Sequence, residues 1–192
     1  MYLLHLPTEV NGHEGLRRLI SEGEEAGYHT GYKCRIRKPW YRVPSIWEPD
    51  CFFFRQIYDF PRIVVNKAGA TSTDTIHRFR SHVAPSRVAA NLYTHLTAAS
   101  AEIEGRSYGG GVLELEPTEA ERLMAPKQLN RAMSITEVDS LVREKKLQEV
   151  LDHNDRAVLQ DGLGLTPGDC KRLRRIWRRM RDRRNSRRKS RG

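Results

Sequence analysis

A chain of 192 residues, 38% hydrophobic and 30% charged, is long enough for one sizeable core, or for a core with a helical appendage. No run approaches the roughly 18 consecutive apolar residues of a membrane span, and the opening Met-Tyr-Leu-Leu-His-Leu-Pro is too short and lacks the basic lead of a secretory signal. The three cysteines, Cys34, Cys51 and Cys170, have neither CxxC nor zinc-site spacing, which favours reduced thiols and a cytoplasmic setting.

The net charge of +10 is unevenly spread. Residues 32–95 hold eleven basic and four acidic side chains, and residues 171–192 hold thirteen basic and one acidic. The stretches 1–31 and 96–170 are net acidic. A single charge run is as well explained by a solvated face as by a ligand. Two separate positive blocks, one interleaved with aromatics and amides, point to a polyanion.

In chain order, an apolar strand at residues 2–6 precedes a helical stretch around Leu16, Leu19 and Ile20 that ends near Gly23 and Gly27. Residues 32–80 read as short strands broken by Pro, Asn and Gly: an extended row near Cys34, an interrupted run at 40–47, an aromatic one at 51–58, then 62–66 and 75–80. Pro85 and Ser86 open a helix with Ser86 at its N-cap. Its Val88, Leu92, Leu96, Ala99 and Ile103 share a face, and Gly105 closes it. A glycine triplet at 109–111 leads into a strand at 112–115 and a short helix from Pro117. Beyond Asn130 the texture is helical: Thr136 with Asp139 has capping-box spacing, and Thr166 caps a helix with Pro167 first and Leu173, Ile176, Trp177 and Met180 on one stripe. The remainder, 183–192, is low-complexity and read as disordered.

Three segments carry candidate chemistry. In 33–44, extended geometry would put Lys33, Arg35 and Arg37 on one face, with Lys38 beside them, a row suited to phosphates. Trp40 and Tyr41 offer surfaces for packing or base stacking; beside a proline, packing is the preferred reading for Trp40. In 66–78, Asn66, Thr71, Ser72 and Thr73 offer short hydrogen-bonding groups around Gly69, while Lys67, His77 and Arg78 add positive charge. Asparagine suits adenine edges, but such a stretch equally describes a connector that satisfies its own backbone. The triplet at 109–111 has no Gly-Lys-Ser/Thr after it and reads as a structural loop. No HExxH, GxSxG or metal-spaced His/Cys set is present, and His77 with Asp74 is a pair common by chance.

Together the runs KCRIRKPWYRVP, FPRIVVNKAGATSTDTIHR and EGRSYGGGVLELEPTEAERLMAP, at residues 33–44, 60–78 and 104–126, resemble the C-terminal region of adenine-specific DNA methyltransferases of type II restriction–modification systems. The likeness is close over 31–126. The elements in chain order give an expected α+β fold: a mixed or antiparallel sheet recognition domain at 1–126, a helical segment at 127–182 and, outside the close resemblance, a basic tail at 183–192. The resemblance implies double-stranded DNA as partner. In that family an N-terminal domain transfers the methyl group of S-adenosylmethionine to an adenine flipped from the duplex. Neither the cofactor loop nor the Asn-Pro-Pro-Tyr-type motif occurs here. The expectation is therefore a DNA-binding part with no catalytic residue and no bound cofactor, inactive unless a separate methyltransferase fragment supplies the chemistry. Three rivals are a subunit docking through the stripe of the last helix, an intact enzyme such as a metal nuclease using His77 and Asp74, and a general nucleic-acid binder, RNA included. Deleting everything after Asp169 is expected to weaken non-specific binding only.

Overall fold

The computed structural model describes residues 4–73, 75–127 and 131–189, the last three by their backbone alone. Contacts divide the chain into two compact units, Met1–Trp47 and Glu48–Gly192. The fold class is α+β with small antiparallel sheets, as the sequence led us to expect.

The first unit has little apolar core and is held by a few specific contacts. Helix α1 (Glu14–Glu25) ends at Ala26 and Gly27, the glycine at φ +76°, before a 3-10 turn at Tyr28–Thr30 and the short helix α2 (Tyr32–Arg35). The strand expected near Cys34 is thus helical: Gly31 sits in the extended conformation at the N-cap and its carbonyl accepts from the N–H of Cys34 and Arg35. A four-residue window is too short for period-2 alternation to outweigh that local capping. Residues 40–47 form turns and bends, and residues 4–6 form no strand.

Among the described residues, all the strands lie in the second unit. Sheet one has the order β3-β1-β4, with β1 (Cys51–Phe54) central, β3 (Ile63–Val65) on one side and β4 (Ile76–Phe79) on the other. Sheet two has the order β2-β6-β5, made of β2 (Gln56–Ile57), β6 (Leu113–Glu114) and β5 (Arg106–Ser107). All four pairings are antiparallel. The aromatic run 51–58 is therefore two strands: the chain changes sheet at Arg55, whose carbonyl accepts from the Leu115 N–H. Alternation turns Cys51 and Phe53 inward onto Ile57, Ile63, Leu92, Ala101, Leu113 and Leu115, the core beneath both sheets.

Helix α3 (Pro85–Asn91) has Ala84, not Ser86, at its N-cap, because Pro85 takes the first helical position. The single long helix expected to Gly105 breaks at Leu92–Thr94, and α4 (His95–Glu104) starts afresh with the Thr94 hydroxyl accepting from the Thr97 N–H. Two residues from far along the chain clamp the break. Asn154 donates to the carbonyls of Ala90 and Tyr93, and Asp155 accepts from the His95 backbone N–H at 2.9 Å and from its Nδ1 at 2.7 Å. These bonds satisfy the end of α3 and the start of α4, which would otherwise be orphaned in the interior. Across the break the expected common face fails: Leu92 is buried while Ile103 is 61% exposed. Gly105 does close α4, and only glycine fits, since a Cβ there would lie 2.8 Å from both the Ala101 carbonyl and a Leu113 methyl.

Helix α5 (Pro117–Glu121) follows a Glu116–Glu119 capping box. Burial alone would raise the Glu119 pKa; the Arg106 guanidinium and the Glu116 backbone N–H outweigh it and hold the carboxyl below its ordinary value. Helix α6 (Ile135–Arg143) is capped by Ser134 with Glu137, two residues before the expected Thr136–Asp139 box. Helix α7 (Leu147–Asn154) runs into a π turn at Asp155–Gln160. The last helix, α8 (Pro167–Lys189), has the expected Thr166 cap: its hydroxyl donates to Asp169 at 2.6 Å and accepts from the Asp169 N–H at 3.1 Å.

The basic run expected to be disordered from 183 is instead helical through Lys189. An isolated helix so rich in like charges at i, i+4 would be unstable, and tertiary contacts reverse that. Cys170 and Trp177 are buried, the latter packed with Phe60 and His95. Arg184 is 3% exposed and its guanidinium donates to both Glu102 carboxylate oxygens, one at 2.6 Å, and to the carbonyls of Tyr58 and Gly111. Deleting everything after Asp169 therefore removes part of the core, so it cannot act on binding alone. The docking rival loses its basis as well: Trp177 is buried, Leu173 and Met180 are half-buried, and only Ile176 of that stripe, at 39%, faces outward.

Candidate nucleic-acid interface

In the first unit the cations of 33–38 follow a helix and a turn. Residues two apart on a helix diverge by about 200°, so Lys33 and Arg35 do not share the row that an extended strand would give. The chain then turns, with the Arg37 N–H bonded to the Cys34 carbonyl and the Arg42 N–H to that of Pro39. This brings Arg37, Lys38 and Arg42 around an open depression of about 370 Å³ whose remaining walls are Pro39, Pro44 and Ser45. Three cations and no carboxylate line it. Lys33 and Arg35 are exposed on the preceding helix.

The two aromatics of this segment are structural. Trp40 lies against Gly23, where a Cβ would come within 2.8 Å of its ring, and its indole N–H donates to Glu24 at 2.9 Å. Tyr41 stands edge-on to Trp40 and donates its hydroxyl to the Thr8 carbonyl at 3.0 Å. Packing, the preferred reading for Trp40, holds for both rings.

In the second unit, Asn66 braces the loop that joins β3 to β4. Its side-chain amide donates to the carbonyls of Pro49 and Ala70, each at 2.8 Å, and its oxygen accepts from the Ala70 N–H at 3.0 Å. All three bonds are internal, so Asn66 shapes the loop that carries Lys67 and Gly69, the latter at φ +58°. Ser72 donates to the Ile76 carbonyl, and the hydroxyls of Thr73 and Thr75 are 3.4 Å apart. Thr71 is half-buried. His77 donates Nε2–H to the Leu115 carbonyl at 2.7 Å and stacks on Phe53. That bond uses one ring nitrogen, and the His77–Asp74 pair lies outside the described residues, because Asp74 does. Among the described residues of this loop, Lys67, Ala68, Gly69, Ala70, Thr73 and Thr75 are exposed.

Strand register reveals a surface that segment-by-segment reading missed. Phe52 pairs with Val64 on one side and with Arg78 on the other, and Phe54 pairs with Ile76, so these side chains share the face of sheet one turned away from the core. Val64 is 46% exposed and Phe54 39%. The period-2 alternation of 51–58 held the signal, but which phase faces outward depends on the partner strands.

The glycine triplet is filled by the protein itself. Gly110 and Gly111 have φ of +77° and +79°, the Gly111 carbonyl accepts from Arg184, and a Cβ on Gly111 would lie 3.0 Å from the Asn185 side chain. It is the seat of helix α8 and does not fit the cofactor cradle of a methyltransferase. Among the described residues no helix is long and apolar enough to cross a membrane.

Residues 1–159 match the family model described as "Type II methyltransferase M.Eco57I, C-terminal domain". No curated protein and no solved structure gives a match.

Proposed function

The chain belongs to the family of C-terminal domains of M.Eco57I-type type II methyltransferases, and from that premise we propose that it binds duplex DNA as the target-recognition part of an adenine-specific methyltransferase. The observation that carries the reading is the carboxylate-free setting of Arg37, Lys38 and Arg42 within the matched stretch. Cations grouped without internal partners suit phosphate oxygens, which fix register on the duplex. Lys33 and Arg35 extend this positive surface, and Lys67 and Arg78 supply charge in the second unit. Base reading falls to the β3–β4 loop, where Asn66 holds the backbone so that Thr71, Ser72 and Thr73 are presented in one geometry.

Methyl transfer to adenine is assigned to no residue of this chain. In this reading S-adenosylmethionine and the chemistry belong to a catalytic methyltransferase part that acts beside it. The cytoplasm, where DNA and methyl donor are both present, is the setting the reading implies.

Fluorescence anisotropy with duplexes of varied sequence tests this. Affinity should fall linearly with salt on a log–log plot, each neutralised phosphate contributing about −0.9 to the slope. Replacing Arg37, Lys38 and Arg42 together by glutamine should flatten that slope by about 2.7 while thermal stability holds, because no carboxylate among the described residues lines the depression with them. A variant that binds with the original slope refutes the placement. Equal affinity for an RNA duplex refutes DNA as the target.

A further inference from the structure

Helix α8 lies wholly beyond the matched stretch, which ends at residue 159. Two groups stand out among its described cations. Arg174 pairs with Asp152 at 3.1 Å, Arg181 with Asp59 at 3.2 Å and Arg184 with Glu102 at 2.6 Å, while Arg178 donates to Gln148 and Arg172 to Asp169. All but the last, which lies within α8 itself, tie the helix to the rest of its unit. Arg175, Arg179 and Arg183 are exposed and, among the described residues, have no ion-pair partner. They recur every four residues, about 6 Å apart, and at about 100° per residue they lie within about 80° of one another, opposite the buried Trp177 and Arg184.

We infer that this ridge is a second, sequence-independent contact to duplex DNA, made to the phosphate backbone alone. Like charges at i, i+4 oppose the helix, and a regular polyanion lying along the ridge removes that repulsion. The spacing of about 6 Å is close to two phosphate steps of one strand, about 6.8 Å along the duplex axis. Lys171, Arg172, Asp182 and Ser186 are the described neighbours on this side and no aromatic ring is exposed among them, so the ridge offers nothing for base stacking, as single strands require. Apart from Ile176, the apolar side of the helix is turned into the core, which removes the face an interfacial membrane helix would need. The inference rests on duplex DNA being the ligand of this chain, but it concerns different residues.

The test uses the 192-residue chain, a short duplex of arbitrary sequence and a salt series. R175Q/R179Q/R183Q should bind with a log–log slope lower by about 2.7, so that it escapes about 40-fold of the loss that the unsubstituted chain suffers between about 50 and 200 mM salt. R175K/R179K/R183K should restore the slope. Preference among duplex sequences should be the same in all three. An unchanged slope in the glutamine variant, with the slope of the Arg37, Lys38 and Arg42 variant reduced, overturns the ridge and leaves the proposed function standing. No binding by the unsubstituted chain overturns both. Polyglutamate competing as well as duplex, charge for charge, overturns DNA as the occupant and makes the ridge a surface for acidic protein.

Discussion

Removing Arg184 is predicted to be among the most damaging single changes in the chain, although only eight residues follow it. Its guanidinium reaches three places at once: the Glu102 carboxylate on α4, the Tyr58 carbonyl after β2 and the Gly111 carbonyl in the glycine turn. Both side chains of the ion pair are nearly sealed from water, at 3% and 4% exposure. Arg184→Met strands a buried carboxylate and two carbonyls, and loss of one partner from a buried pair costs about 3–5 kcal/mol. Glu102→Gln should cost less, about 1–3 kcal/mol, since the guanidinium keeps both carbonyls and an amide oxygen. The double replacement Glu102→Leu with Arg184→Met removes the isolated charge and should recover about 2–3 kcal/mol relative to the sum of the single changes. Urea unfolding followed by far-UV circular dichroism measures all three. If Arg184→Met stays within about 1 kcal/mol of the unsubstituted chain, or the double variant equals the sum of its parts, the pair does not anchor α8 and the helical reading of residues 183–186 fails.

Trp177→Ala should destabilise the second unit by about 3–5 kcal/mol, as large aromatic deletions from cores do, since the ring is buried between Phe60 and His95 with the Arg181 guanidinium 4.5 Å above it; a thermal melt that does not move contradicts that packing. Thiol titration with an aromatic disulfide at mildly alkaline pH should label only Cys34 rapidly. Burial, helped by Asp50, pushes the Cys51 thiol up to about 11, so its thiolate is scarce below that pH, and burial raises Cys170 as well; three fast thiols without denaturant would count against both. Asn66→Ala should speed amide exchange at Ala70 and cost about 1–3 kcal/mol through the carbonyls it leaves unpaired, whereas an unchanged exchange rate would mean that the loop is held by something else.

What could be read from the sequence was whatever depends on near neighbours. The strands at Ile63–Val65 and Ile76–Phe79 follow from β-branched and aromatic residues between turn formers, and the Thr166 cap from four consecutive residues. What failed depends on partners far along the chain. The break between α3 and α4 is set by Asn154 and Asp155, which lie 60 or more residues away. The burial of Arg184 is set by Glu102, 82 residues away, and a charged residue in a basic run carries no local mark of being buried. The stripe Leu173, Ile176, Trp177, Met180 was correctly seen as one helix face, but periodicity says only that the face is covered, not whether by the chain itself or by another. At the candidate site the residue types were legible and their employment, Trp40's packing apart, was not: Asn66, His77 and Tyr41 have the chemistry to meet a nucleic acid, and all three bond to carbonyls of their own chain.

The position of α8 bears on how stability and binding are related. The matched stretch ends at residue 159, yet the cores around α4, α6 and α7 are completed by Trp177 and Cys170. A fold that needs a helix so densely charged carries a built-in electrostatic cost on the exposed side of that helix. Any ligand that neutralises Arg175, Arg179 and Arg183 in the folded state, with no comparable hold on the unfolded chain, lowers that cost and stabilises the second unit by mass action. Salt does the same by screening, but without regular geometry and only over about a Debye length. Stability and polyanion binding therefore draw on the same three side chains, because the ridge that repels itself in the free protein is the one an ordered row of phosphates would satisfy.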